Sequence, residues 1–158
     1  MKRIMQITAV LALLLFLVGC GRNGKMKSSP ESKTLQAAAW AKEESPMKIK
    51  VSDGKNTVVF ALNQSQAAKD LWNQLPLTIG VENYGSNEKI FYPKKLRTEN
   101  TPAADARAGT LAYYAPWGDV VMFYRDFGSA GWLYQLGEAE SGRDGIAGLM
   151  GKITIEKQ

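Results

Sequence analysis

"YYAPWGDVVMFYRD", residues 113–126, is the stretch whose reading decides the fold. Two short runs rich in aromatic and β-branched residues, "GTLAYYA" and "DVVMFYRD", meet across Pro116-Trp117-Gly118, which is the pattern of two strands joined by a turn. On alternating strand geometry Val120, Met122 and Tyr124 face one way, and Val121, Phe123 and Arg125 the other, so one set fills an interior. Tyr113, Phe123 and Tyr124 read as core, where aromatic strand residues usually lie. Trp117 differs, because a large ring inside a turn is held at a surface or at the mouth of a cleft. Either it forms an aromatic and cationic binding patch with Tyr84, Tyr114 and Arg125, or it packs the end of its hairpin.

Working outward, period-two patterning recurs on both sides. Ile49 and Val51 alternate with Lys48 and Lys50, "SDGKN" supplies a turn, and Val58, Phe60 and Leu62 line one face of a second strand. Asn63, with Gln66 three residues on, predicts a capping box opening a helix. Ala67, Ala68, Leu71, Trp72 and Leu75 form that helix's apolar stripe, and Pro76 stops it. "LTIGVENYG" and "EKIFYP" read as strands on either side of a Gly85-Ser86-Asn87 turn. Residues 97–108 read as a long polar loop, "WLYQLGEAE" as a strand, "GRDGIAGLM" as a short helix and "KITIEK" as a closing strand. The expected fold class is mainly β: a small closed or nearly closed β-barrel with one main helix and one short helix.

The N-terminus has a different character. "MKRIMQITAVLALLLFLVGC" places Lys2 and Arg3 before an apolar run and ends in Leu17-Val18-Gly19-Cys20, the order of a secretory signal peptide. The apolar segment Ile4–Val18 includes Gln6 and Thr8 and falls short of the roughly 20 residues a membrane span needs. Its last four residues resemble the lipobox of bacterial lipoproteins. That resemblance implies that residues 1–19 are removed, that Cys20 is lipidated, and that the protein partners a membrane through its lipid anchor. Acyl chains contribute about 0.8 kcal/mol per buried methylene, so two or three of them make a firm anchor. The expected location is extracytoplasmic, on the cell membrane or the outer membrane; Gly21, where lipoproteins retained in the inner membrane often carry Asp, implies the latter in a two-membrane host. Residues 20–46 are rich in Gly, Ser, Lys and Glu and read as a flexible tether with one Trp, Trp40, ahead of a domain over 47–158.

Charge and composition exclude whole classes of function. The net charge of +5 is concentrated before residue 47, where seven basic residues face three acidic ones, while the remainder carries thirteen against twelve. A domain so nearly neutral lacks the clustered Lys and Arg that tracking phosphates requires, so no nucleic-acid partner is expected. The chain contains no histidine and one cysteine. Ser-His-Asp and Cys-His catalysis are therefore absent, and neither a metal site nor a cofactor is expected. "GIAGLMGKI" is no phosphate loop, since Ile146 and Ile153 stand where Gly and Ser or Thr would be needed. Glu138 and Glu140 share one side of a strand, as a carboxylate pair or as a charged strand end. Glu88 and Lys89 either line the cleft near Trp117 or form an ordinary solvated pair.

"LPLTIGVENYGSNEKIFYP", "AGTLAYYAPWGDVVMFYRDF" and "LYQLGEAESG", followed by a small helix and a last alternating strand, resemble the bacterial cyclophilin-like domain family. The resemblance spans about residues 47–157. It implies a cyclophilin-type barrel, in a family where some relatives are envelope lipoproteins or are fused to flavodoxin-like domains. It also raises peptidyl-prolyl isomerisation, whose amide barrier is ~18–20 kcal/mol. True cyclophilins lower that barrier with an arginine aimed at the prolyl nitrogen beside an apolar pocket. Their Phe-His-Arg signature is missing here, which leaves Arg125 as the weak catalytic candidate. Fold alone carries no activity. The leading expectation is a domain that binds a peptide or small ligand near Trp117; a weak prolyl isomerase and a non-catalytic structural envelope protein are the alternatives.

Overall fold

The structure, a computed structural model, describes residues 45–158. The signal segment, Cys20 and the tether as far as residue 44, with Trp40, lie outside the described residues.

Strands β1 (Lys48–Ser52) and β2 (Thr57–Leu62) form the opening hairpin, in register from Lys48↔Ala61 to Ser52↔Thr57. Their alternation buries Ile49, Val51, Val58 and Phe60 completely. The turn between them is set by Asp53, whose carboxylate accepts from the N–H groups of Lys55 (2.9 Å) and Asn56 (2.6 Å). Helix α1 (Gln66–Asn73) follows, with Ala67, Ala68 and Leu71 on its buried face. Its N-cap is Ser65, which accepts from the N–H of Ala68 at 3.3 Å, and not Asn63. Asn63 forms the preceding turn instead: its Oδ1 accepts from the N–H of Ser65 and its Nδ2 donates to the carbonyl of Gln135. Both residue types cap helices well, and the tie to Gln135 holds Asn63 two residues ahead of the cap position.

The remaining elements are β3 (Leu77–Tyr84), β4 (Glu88–Phe91), β5 (Ala103–Ala106), β6 (Thr110–Tyr114), β7 (Asp119–Phe123), β8 (Gly128–Ser141), a 3₁₀ helix (Arg143–Gly148) and β9 (Gly151–Lys157). Strand β5 corrects the reading of 97–108 as loop throughout. Its "AADA" lacks the β-branched and aromatic residues that mark strands, yet the small side chains Ala104 and Ala106 are buried against the outer wall of the barrel.

Every pairing is antiparallel, in the order β2-β1-β9-β3-β4-β7-β6-β8, and a further β2–β8 ladder closes the eight strands into a barrel with β5 added outside on β8. Closure leaves no free edge among those eight. The seam lies at Gly137, which pairs with Leu62 of β2 on one side and Leu111 of β6 on the other. A Cβ at Gly137 would run into the carbonyl oxygen of Ala61, so only glycine lets the two backbones approach this closely.

Two cores result. The interior joins Ile49, Phe60, Leu111, Tyr113, Met122 and Ile153 with residues of α1 and the 3₁₀ helix. These helices close opposite ends: α1 follows the last residue of β2, while the 3₁₀ helix lies at the first, where Asn56 Nδ2 donates to the carbonyl of Gly148 at 3.1 Å. The second core is on the outer wall, where Ile90, Ala112, Val121, Phe123 and Leu133 meet Ala104 and Ala106. Strand β7 is consequently buried on both faces, as five consecutive buried residues show. The expected division holds: Val120 and Met122 point inward, Val121 and Phe123 outward.

Candidate ligand site on the outer wall

Register explains which side chains gather outside the barrel. Tyr84 stands opposite Glu88, Glu88 opposite Phe123, and Tyr114 opposite Asp119, so β3, β4, β7 and β6 all present these residues on one face. Between them lies a cavity of about 310 Å³. Val121, Phe123 and Leu133 supply apolar surface, and Tyr84, Tyr114 and Trp117 supply aromatic walls. Trp117 is held by the β6–β7 turn, in which the carbonyl of Tyr114 accepts from the N–H groups of Trp117 and Gly118, and Gly118 adopts φ 75°. Its ring meets Tyr84 edge-on at 5.3 Å and Tyr114 edge-on at 5.5 Å between centroids, while 52% of the residue stays exposed. The rings thus keep one another upright at a solvent-facing mouth.

Two carboxylates complete the lining, and among the described residues no Lys or Arg belongs to it. Asp119 is 2% exposed, and its Oδ1 has no hydrogen-bond partner among the described residues. Burial pushes its carboxyl above the ordinary range, offset in part by its own backbone N–H. Half-buried Glu88 is raised as well, by burial first and by the negative charge of Asp119 second. A buried carboxylate oxygen left without a donor costs stability, and such groups concentrate where a ligand or a reaction supplies what is missing.

Of the residues singled out from the sequence, Tyr84, Tyr114 and Trp117 converge on this cavity and Arg125 does not line it. Arg125 is exposed, with its guanidinium over the Tyr124 ring at 5.9 Å. The alternation that placed it beside Phe123 stops there, because Tyr124 and Arg125 both donate their N–H to the carbonyl of Asn87 and the chain turns. Phe127 takes the place expected of Arg125: it lines the cavity and stacks on Phe123 at 5.4 Å. Glu88 belongs to the cavity rather than to a solvated pair with Lys89. Glu138 and Glu140 lie elsewhere in structural roles, Glu138 accepting from Thr110 (3.0 Å) and Gln135 (2.8 Å) and Glu140 paired with Lys48 (2.6 Å). Asp119 escaped the sequence reading because an Asp after Pro-Trp-Gly looks like an ordinary turn residue; only its strand partner Tyr114 betrays the outward, buried position.

Across the Trp117-Gly118 turn is a shallower depression bounded by Tyr92, Pro93, Lys95 and Pro116. Among the described residues no group of three or more Asp, Glu, Cys or His side chains is placed to hold a metal ion, and no helix is long and apolar enough to cross a membrane.

A closed antiparallel barrel, capped at both ends by short helices and carrying an aromatic, acidic cavity on its outer wall, defines the class of domain. The chain belongs to the cyclophilin-like family, whose sequence model matches residues 51–156. Among solved structures it is similar to the solution structure of a hypothetical protein from Archaeoglobus fulgidus. The TM-score is 0.52 at 15% identity, and the match covers 72% of this chain and 95% of that one. That likeness concerns the fold alone. No curated protein matches the chain significantly.

Proposed function

We propose that the protein is a lipid-anchored, extracytoplasmic binding protein whose barrel presents the Trp117 cavity to a peptide or small ligand. The observation that carries the binding reading is the coexistence, in one cavity, of an aromatic mouth and the buried Asp119, whose Oδ1 has no hydrogen-bond partner among the described residues. A hairpin end that served only for packing would gain nothing from a carboxylate there, and an apolar residue would be more stable. A cavity of about 310 Å³ is at the small end of the range for ligand sites, which favours a small molecule or a single side chain. The anchor rests on the charged start, the short apolar run and the Leu-Val-Gly-Cys ending of residues 1–20.

Prolyl isomerisation would need the Arg125 guanidinium in the cavity, and its position over Tyr124 gives that alternative no support. Two experiments test the proposal. Mass spectrometry of natively expressed protein is expected to show a chain beginning at acylated Cys20; a product still starting at Met1, or free of fatty acid, removes the anchor. A thermal-shift screen of small molecules and peptides is expected to yield compounds that stabilise the wild type and not Trp117→Ala. Equal stabilisation of a cooperatively folded Trp117→Ala variant removes the site.

A further inference from the structure

We infer that the outer-wall cavity selects a primary ammonium group on an apolar stem, with the Asp119 carboxylate as its acceptor and Tyr84, Tyr114 and Trp117 as its aromatic enclosure. The inference rests on the ligand-binding reading above and names the chemistry of the ligand.

Three features of the lining point the same way. First, its charge is of one sign, with Glu88 and Asp119 unopposed by any basic side chain of the described residues in the lining, so an anion is repelled. A neutral apolar ligand would remove Asp119 further from water while offering it nothing, which raises the cost of its charge. Second, Asp119 lines the cavity, and its buried Oδ1 has no hydrogen-bond partner among the described residues, so it calls for a donor brought from outside. An N–H of an alkylammonium supplies a charge-assisted bond, where a quaternary ammonium would leave that oxygen unsatisfied. Third, the faces of aromatic rings attract a cation that has shed its water, and Tyr84, Trp117 and Tyr114 stand next to one another at the mouth. The apolar stem is accommodated by Val121, Phe123 and Leu133.

An inorganic divalent cation fits poorly. Calcium takes six to eight oxygens as a rule, and among the described residues no group of three or more acidic side chains is placed to hold a metal ion. The same ammonium chemistry is available from a free amine or from a lysine side chain of a peptide, and the test carries an arm for each.

The experiment follows the indole N–H resonance of Trp117 and the backbone amides of the full chain by NMR during titration with 2-phenylethylamine, with Nα-acetyl-lysine methylamide, and with 2-phenylethanol as the neutral control. We expect at least one ammonium probe to bind about tenfold or more tightly than the alcohol, and Asp119→Asn, which preserves shape, to remove that preference. The tighter of the two ammonium probes identifies the source. Glu88→Gln is the second variant, expected to weaken ammonium binding without abolishing the preference. Equal affinity for amine and alcohol, unchanged in Asp119→Asn, overturns the ammonium inference and leaves ligand binding at Trp117 standing. No shift at Trp117 with any of the three probes also overturns it, and the broader binding reading is then judged by the thermal-shift screen.

Discussion

Tyr114 and Asp119 face each other across the end of the β6–β7 hairpin, one a half-buried ring and the other a carboxylate buried to 2% exposure, both on the outer wall of the barrel. The pairing puts an ionisable group into an apolar second core, and its energetic signature is a pH dependence of unusual sign. Because the folded state raises the Asp119 pKa above its ordinary value of 3.8, the folded state holds more proton than the unfolded chain between the two values. Stability contributed by this residue therefore falls as pH rises through the folded pKa, and the penalty is largest at neutral pH.

Asp119→Asn removes that penalty. The variant is expected to melt about 2–5 °C above the wild type at pH 7, with the gain vanishing as pH approaches 3.8, the ordinary value. Thermal unfolding at a series of pH values measures it. Melting curves for the two proteins that run parallel with pH would show that Asp119 is not held charged in an apolar site.

At Asp53 and Asp70 the sign is opposite. Asp53 is held well below the usual carboxylate range by N–H donors, that of Asn56 first, with the Asn56 side chain and the Lys55 N–H behind it. Asp70 is lowered chiefly by Arg97, which grips it through Nε (3.0 Å) and Nη2 (2.7 Å). Both contribute stability that is present above pH 3.8 and lost as pH falls through their folded values. Asp70→Asn is expected to flatten the acid limb of the stability profile. It should also speed hydrogen exchange at the Arg97 amide, which donates to Asp70 Oδ2 at 2.9 Å. Unchanged exchange at Arg97 would mean that the loop is held by other contacts.

Trp117→Ala is expected to cost only about 1–2 kcal/mol, the worth of two edge-to-face contacts and partial burial, against the 3–5 kcal/mol typical of a core aromatic. Urea unfolding measures this. A loss in the core range, or a non-cooperative transition, would make Trp117 a structural residue.

Gly137→Ala tests the barrel seam. The added methyl meets the Ala61 carbonyl and the Leu62 Cα, backbone atoms that no side-chain rotation can move away. The expected destabilisation is about 1–3 kcal/mol or more, with the first loss of amide protection along β2 and the second half of β8. Gly80→Ala serves as control, because a Cβ there meets nothing within 4 Å. Equal stability of the two variants would mean that β2 and β8 are not tightly closed at Gly137.

How far the chain could be read in advance depended on whether a residue's role was set locally. The β1–β2 hairpin, the buried face of α1 and the inward-outward split of Val120 to Phe123 follow from periodicity, a property of neighbouring residues. Strand β5 did not, since "AADA" is a strand only because β8 pairs with it and a second core accepts its methyl groups. The aromatic half of the site was legible from Trp117 in its turn. The acidic half was not: Asp119 and Glu88 acquire their character from strand partners and from burial, neither of which is written in adjacent residues. Arg125 failed for a related reason, because a strand-alternation rule says nothing of where the carbonyl of Asn87 ends the strand.

The most direct test of the account is to map, by chemical-shift perturbation, where ligands found in a fragment and peptide screen touch the protein. The account predicts shifts clustered at Tyr84, Glu88, Tyr114, Trp117, Asp119 and Phe127, on the outer wall. Shifts centred instead on residues of the barrel interior, or on Tyr92 and Lys95 across the turn, would contradict it.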